Sequence, residues 1–158
     1  MAECCCPPRL DDPGEHRQCP RSGTQGHPVD LNTVKALLTE MALRRVSGTP
    51  YWFCPDPACE IVYFSATLPF TLRDVRVPVW QKEQFGGRMV CYCFGENEAD
   101  ISREIATHGA SGAVERVRDH IASGRCACEV RNPRGVCCLG DLIAAVQRVT
   151  HERDLPHR

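Results

Sequence analysis

Twelve of the 158 residues are cysteine, and most of these cysteines stand close to another one along the chain. Cys91 and Cys93 are separated by one residue, and Cys54 and Cys59 enclose the segment PDPA. Cysteines one residue apart are too close to bridge each other comfortably. Thiolates at such spacings are typical ligands of zinc and of iron–sulfur clusters. The spacing therefore predicts metal sites rather than a disulfide scaffold.

The cellular compartment decides whether cysteines stay reduced, and the sequence bears on it. The first eight residues, MAECCCPP, have neither the basic nor the apolar region of a secretory signal. No stretch approaches the roughly 20 apolar residues that a membrane helix needs. We therefore expect a cytoplasmic protein, without membrane insertion, whose thiols remain available to metals. With 19 Lys and Arg against 20 Asp and Glu, nothing indicates nucleic-acid binding.

The segment from Cys54 to Cys59 predicts one half of a zinc site. The flanking runs, residues 49–54 and 60–64, are rich in aromatic and β-branched side chains and are typical of strands. A tight turn between two strands holds both thiolates on one side, as in a zinc ribbon. Cys19, in a turn rich in glycine and proline, is the expected third ligand.

A second group of candidate ligands lies in the other half of the chain. Two of its members precede a predicted helical hairpin, with helices at residues 98–108 and 111–121, and four follow it. A [2Fe–2S] cluster needs four thiolates, two on each iron, and a hairpin that folds back would bring both sets together. The alternative is a loop that binds zinc beside two buried structural thiols. The candidates are Cys91, Cys93, Cys126, Cys128, Cys137 and Cys138.

The elements that must position these ligands predict an α+β fold. A small zinc-ribbon-like β module with one helix, at residues 33–45, is followed by a mostly helical module that binds the [2Fe–2S] cluster. We also expect a third strand at residues 75–80 and a last helix from Asp141 to Thr150. The predicted parts are a flexible cysteine-containing tail at 1–18, the zinc module at 19–80, a linker at 81–88, the cluster module at 89–150 and a frayed C-terminus at 151–158.

Two motifs in the second half carry a family resemblance. The segment VCYCF with Asp100 and Ile101 resembles the opening of the [2Fe–2S] domain of bacterioferritin-associated ferredoxins. The longer segment CACEVRNPRGVCCLGD resembles instead the N-terminal domain of CopZ-type copper chaperones, which carries zinc and a [2Fe–2S] cluster. CPRSGTQGHPV, TVKALL and YWFCPDPACEIVYF in the first half resemble the zinc part of that domain. The resemblance extends from residue 19 to about residue 146.

This resemblance implies a ligand set for each metal. The long spacing of the family's distal cluster ligands favours Cys128 and Cys138, with Cys126 and Cys137 as the alternative pair. The implied cluster ligands are thus Cys91, Cys93, Cys128 and Cys138.

For zinc, the resemblance implies a second cysteine in the first turn, in the pattern C-P-x-C. Ser22 stands at that position in this chain. The fourth ligand beside Cys19, Cys54 and Cys59 is therefore open. The candidates are Cys4, Cys5, Cys6, His27 and water.

The resemblance also implies a function, that of a metallochaperone-like accessory in copper or other soft-metal handling with a one-electron redox role. The sequence contains no M-x-C-x-x-C copper-binding loop, so we expect Cu(I) to pass to a separate carrier or a metal-exporting ATPase. Metal reduction through the cluster would be the one enzyme-like activity. The alternative is a ferredoxin-like electron-transfer or regulatory protein with a purely structural zinc. A third class, soft-metal detoxification, depends only on Cys4, Cys5 and Cys6.

Overall fold

The structure is a computed structural model, and it describes residues 17–155. Within these residues a four-stranded antiparallel sheet is followed by a two-stranded sheet and by most of the helical residues. This arrangement confirms the α+β class that the sequence predicts. Cys4, Cys5 and Cys6 of the expected metal-binding tail lie outside the described residues.

The larger sheet has two aromatic central strands that are covered on both faces. Its strands, in spatial order, are β1 (His27–Val29), β2 (Tyr51–Phe53), β3 (Ile61–Phe64) and β4 (Pro69–Thr71). Successive side chains of a strand point to opposite faces. Tyr51 and Phe53 therefore enter the core beneath the helices, whereas Trp52 joins a smaller apolar cluster that contains three cysteines. Every residue of β2 and β3 is buried for this reason.

Two short helices replace the single helix that the sequence predicts for residues 33–45. They are α1 (Leu31–Leu37) and α2 (Glu40–Leu43). Leu38 has an extended backbone, with ψ of 149°, and forms an isolated antiparallel bridge with Val75. Thr39 then begins α2, because its side chain accepts a hydrogen bond of 3.3 Å from the backbone N–H of Ala42. The pairing of Leu38 with Val75, which is distant in sequence, thus interrupts the helix, although the apolar pattern of residues 33–45 is helical throughout.

The prediction of a strand at residues 75–80 is wrong, because only Val75 pairs there. One-turn 3-10 helices occupy Leu72–Asp74 and Trp80–Lys82. The additional strands of the sheet are β1, which pairs with β2, and β4, which pairs with β3.

The second half is mostly helical, and the predicted helical hairpin is confirmed. Its elements are β5 (Met89–Cys91), β6 (Glu96–Asn97), α3 (Glu98–His108), α4 (Ala113–Ala122), α5 (Cys128–Arg131) and α6 (Leu139–Asp154). Gly109 ends α3 with φ of +82°, a left-handed conformation that glycine adopts without strain. The last helix begins two residues before Asp141 and continues four residues beyond Thr150, so it is longer at both ends than predicted.

Contacts distant in sequence hold the two halves together. Thr33 of α1 donates a hydrogen bond of 2.5 Å from its hydroxyl to the carbonyl oxygen of Glu129 in α5. Within residues 81–88, the expected linker, Arg88 is buried and forms an ion pair with the buried Glu98 at 2.6 Å. In the described part of the chain no helix is both long enough and apolar enough to span a membrane.

Candidate metal centres

The turn between β2 and β3 fixes the first two thiols through its backbone. Cys54 donates its N–H to the carbonyl oxygen of Val62 at 2.9 Å, so it continues the strand pairing. Asp56 accepts hydrogen bonds from two N–H groups, those of Ala58 at its carboxylate (2.9 Å) and of Cys59 at its carbonyl oxygen (3.2 Å). This closed turn directs the side chains of Cys54 and Cys59 toward the same side of the sheet.

The loop that carries Cys19 is closed by hydrogen bonds of its own. The N–H of Cys19 donates to the carbonyl oxygen of Thr24 at 2.8 Å, and the N–H of Gly23 donates back to Cys19 at 2.9 Å. Gly23 has φ of +72°, which favours glycine. At Gly26 a Cβ atom would lie 2.6 Å from the ring of Phe64. Only glycine therefore lets this loop lie so close to the sheet.

Together the two loops bring three buried thiols within bonding reach of one ion. The Sγ atoms of Cys19, Cys54 and Cys59 all lie within 4.8 Å of one another. The Cys19–Cys59 separation is 3.8 Å. Two sulfurs on one tetrahedral zinc, at Zn–S bonds of about 2.3 Å, are about 3.8 Å apart. The donor type and the spacing therefore fit zinc.

Ser22 lies beside this triangle of thiols. Its hydroxyl oxygen is 3.6 Å from Sγ of Cys54 and within hydrogen-bonding distance of Sγ of Cys19. His27, the other described candidate for the fourth ligand, is exposed on β1 and does not belong to the group of ligand atoms. Burial and the positive charge of Arg134 lower the pKa of His27.

Cys19 and Cys54 differ in how readily they ionise. Burial raises the pKa of Cys19, but hydrogen bonds from the backbone and the hydroxyl of Ser22 outweigh this effect and lower it to about 7. Burial raises the pKa of Cys54 to about 11. A cysteine binds zinc as its thiolate, so Cys19 is better prepared than Cys54 to take up the ion, and the ion must displace the proton of Cys54.

Lys82 is a further functional residue that sequence reasoning missed. Its ammonium group donates to the carbonyl oxygens of Asp56 (2.7 Å) and Cys59 (2.9 Å), and it places a positive charge beside the thiols. Burial lowers its pKa, and the nearby thiols act in the opposite direction. Nothing in the polar segment QKEQFGGR indicates this contact, because the turn lies more than twenty residues earlier.

The second group of cysteines comes together from four separate places in the fold. Cys91 ends β5, Cys93 follows in a turn, Cys128 begins α5, and Cys138 immediately precedes α6. The Sγ atoms of Cys93 and Cys128 are 3.8 Å apart. Cys91 and Cys138 share a side-chain hydrogen bond, as do Cys128 and Cys138. The four thiols thus form one connected group, in the order Cys93, Cys128, Cys138 and Cys91.

The remaining two cysteines of the loop lie at the edge of this group. Cys137 shares a hydrogen bond with Cys128 and is half-buried. Cys126 is half-buried in the segment before α5 and is disulfide-bonded, so that it is not a free thiol in this structure, contrary to its expected availability as a ligand. By contrast Cys91, Cys128 and Cys138 are buried, at 2% exposure or less.

Hydrogen bonds distribute protons unevenly within the four-thiol group. The thiols of Cys128 and Cys91 donate to Cys138 and lower its pKa to about 4. The hydrogen bond with Cys138 raises the pKa of Cys91, hydrogen bonds with Cys137, Cys138 and Cys93 raise the pKa of Cys128, and burial adds to both effects.

Asn132 holds the distal loop in shape, and sequence reasoning missed it as well. Its side-chain amide donates to the carbonyl oxygen of Val136 at 2.7 Å and accepts from the N–H of Arg134 at 3.1 Å. The residue is buried at 1% exposure. Its two side-chain bonds close the turn that leads to Cys138, and its backbone N–H donates to the carbonyl oxygen of Cys128 at 2.9 Å.

The comparisons with known proteins agree with this geometry. A family model for the zinc-binding domain of CopZ matches residues 16–76, which include Cys19, Cys54 and Cys59. The crystal structure of the N-terminal domain of CopZ from Archaeoglobus fulgidus superposes with a TM-score of 0.68 at 30% sequence identity. The superposition covers 81% of this chain and 96% of that domain. No curated protein matches the chain. By its zinc-binding sequence and its fold, this protein is a member of the CopZ N-terminal domain family.

Proposed function

We propose that the protein binds zinc at Cys19, Cys54 and Cys59 and a [2Fe–2S] cluster in its second half, and acts as a metallochaperone-like accessory in copper or other soft-metal handling. The cluster would supply one electron at a time. The observation that carries the proposal is the convergence of four thiols from separate parts of the fold into one connected group. The proposed cluster ligands are Cys91, Cys93, Cys128 and Cys138.

The spread of these thiols favours a two-iron cluster over a single zinc ion. At the first centre all three sulfurs lie within 4.8 Å of one another. In the described part of the chain no other group of three or more potential ligand atoms is that compact. Four thiols that pair closely, yet form no such compact set, are better suited to two metal atoms, each held by two sulfurs.

The surroundings of Cys93 support a redox role. Its sulfur accepts a hydrogen bond of 3.2 Å from the N–H of Ala127, a contact that favours the reduced, more negative state of a cluster. Cys93 is half-buried, whereas the other three proposed ligands are buried. We therefore assign the side of Cys93 as the path by which electrons enter and leave.

Held by Cys91, Cys93, Cys128 and Cys138, a [2Fe–2S] cluster would supply one electron to Cu(II) and so give Cu(I). A one-electron donor protein would have to return that electron. Cu(I) prefers thiolate ligands and would pass to a separate copper carrier or a metal-exporting ATPase. Reduced thiols require a reducing compartment, which favours the cytoplasm.

A second candidate is a ferredoxin-like electron-transfer or regulatory protein with a purely structural zinc. Deep burial of the zinc thiols favours it, since Cys19, Cys54 and Cys59 are each 5% exposed or less. The two candidates differ in whether copper is a substrate. Reduced protein mixed with Cu(II) and a colorimetric Cu(I) chelator would produce one Cu(I) per oxidised cluster under the first proposal and none under the second.

The cluster is tested by anaerobic purification, followed by absorption and EPR spectra with iron and zinc analysis. We expect two irons and one zinc per chain, visible absorption that bleaches on reduction, and an EPR signal from the reduced protein. A colourless protein that contains zinc but no iron after anaerobic reconstitution would overturn the proposal.

A further inference from the structure

The three thiols of the first centre leave the fourth corner of a tetrahedron to an oxygen atom. The hydroxyl of Ser22 lies 3.6 Å from Sγ of Cys54 and also reaches Sγ of Cys19. In the described part of the chain, no further histidine, cysteine or carboxylate joins Cys19, Cys54 and Cys59. Ser22 is therefore the described side chain best placed to complete the coordination.

Local hydrogen bonds hold Ser22 in this position. Its hydroxyl oxygen accepts a hydrogen bond of 3.3 Å from the N–H of Thr24. The next residue, Gly23, turns the chain back with its positive φ, so that Thr24 can also bond Cys19. The turn thus presents residue 22 to the thiols, whichever side chain stands there.

An oxygen corner changes the chemistry of the centre. A serine hydroxyl is neutral at ordinary pH, so Zn²⁺ with three thiolates carries one negative charge, whereas four thiolates would carry two. The ammonium of Lys82, which bonds the carbonyl oxygen of Cys59 at 2.9 Å, balances a single negative charge. The neutral oxygen is the weakest of the four ligands and the first that zinc can lose.

An ion that binds well to three sulfurs loses little affinity when the fourth ligand is a neutral oxygen. Pb(II) is a soft divalent cation that forms stable pyramidal three-thiolate complexes and has no need of a fourth ligand. Zinc, in contrast, requires a tetrahedral set. The absence of a fourth thiolate thus weakens the binding of zinc more than it weakens the binding of Pb(II).

We propose that Ser22 makes the first centre a three-thiolate, one-oxygen site that exchanges its zinc for soft, thiophilic ions. This inference rests on the proposed zinc ligands and is independent of the [2Fe–2S] cluster. It assigns to the centre a function in metal exchange beyond structural support.

The coordination is tested by zinc X-ray absorption on the full-length, zinc-loaded protein. We expect three sulfurs and one oxygen in the wild-type protein, and four sulfurs in Ser22→Cys. Ser22→Ala should keep three sulfurs, with a solvent oxygen in place of the hydroxyl. A shell of four sulfurs in the wild-type protein would overturn the inference while leaving zinc binding intact.

The exchange is tested by adding one equivalent of Pb(II) and following the release of zinc to a chelating dye. Wild-type protein should release zinc at least about tenfold faster than Ser22→Cys. Ser47→Cys is the matched control: it adds a thiol near Tyr51, on the opposite face of the sheet, and should behave as wild type. Equal rates of zinc release from the wild-type protein and from Ser22→Cys would contradict the inference. A wild-type protein that binds no zinc at all would instead contradict the proposed zinc site.

Discussion

The hydroxyl of Tyr63 donates a hydrogen bond of 2.6 Å to the carbonyl oxygen of Pro133. Tyr63 lies in β3, the strand that follows Cys59, and Pro133 lies in the loop that leads to Cys138. The same loop is reached from the other side by α1, through the bond between Thr33 and Glu129. The sheet that carries the zinc thiols therefore also supports the distal cysteine loop.

Tyr63→Phe should loosen the distal loop without touching a ligand. The change leaves the buried carbonyl of Pro133 without its partner, which costs about 1–3 kcal/mol in the free energy of unfolding. We expect faster loss of iron in the presence of a chelator, with zinc retained. Tyr51→Phe is the control, because its hydroxyl bonds Ser47 within the first half. Equal rates of iron loss from both variants would contradict the link.

The choice of distal cluster ligands can be tested with adjacent cysteines. Cys138→Ser removes the thiol that bonds both Cys91 and Cys128, so we expect most of the iron to be lost. Cys137→Ser removes a half-buried thiol at the edge of the group and should retain the cluster. The iron content and the EPR spectra of the reduced variants show which of the two cysteines the cluster requires. Iron lost from Cys137→Ser but kept in Cys138→Ser would favour the alternative pair of Cys126 and Cys137.

Lys82→Met should weaken zinc binding by about 10–100-fold, the usual effect of losing a group that orients a metal ligand. The variant loses the bonds to the carbonyl oxygens of Asp56 and Cys59 and the positive charge beside the thiolates. Competition with a zinc-binding dye measures the affinity. Lys35→Met, on the exposed side of α1, removes the same charge at a distance and should leave the affinity unchanged.

Glu98→Gln should destabilise the second half by about 3–5 kcal/mol, because it leaves the buried guanidinium of Arg88 without a counter-charge. Arg88 also lies over the rings of Trp80 and Phe85, at 4.5 and 4.0 Å from their centres, and is only 8% exposed. Denaturant unfolding with fluorescence detection measures the loss. Arg103→Gln, which breaks the exposed pair with Asp100, is the control and should cost less than about 1 kcal/mol.

The same variant tests a pH dependence. Burial raises the pKa of Glu98, but hydrogen bonds from Arg88 and the N–H of Gly86 outweigh it and hold the pKa below its ordinary value of 4.5. A lowered pKa contributes stability that is fully present above the ordinary value and is lost as the pH falls through the lowered one. The difference in unfolding free energy between wild type and Glu98→Gln should therefore be constant above about pH 5 and shrink in more acidic solution. A difference that grows with acidity would contradict this assignment.

Strong local patterns made the fold class and most elements predictable. The aromatic strands on either side of Cys54 and Cys59, and the apolar periodicity of α3 and α4, appear where expected. The break at Leu38 was not predictable, because it depends on pairing with Val75, which is distant in sequence. Residues 75–80 have strand-forming side chains, but among them only Val75 forms a β-bridge.

The sequence by itself determined the types and numbers of thiols, and the proximity of those within one turn, such as Cys54 with Cys59. Short-range turn chemistry is sufficient there, since few backbone conformations close a loop of that length. Tertiary structure alone decided which distant side chains meet. It placed the hydroxyl of Ser22 against Cys54, the ammonium of Lys82 beside Cys59, and Cys138 against Cys91. These contacts depend on the packing of α1, β3 and the distal loop, whose energy is shared among many residues and leaves no local pattern in the sequence.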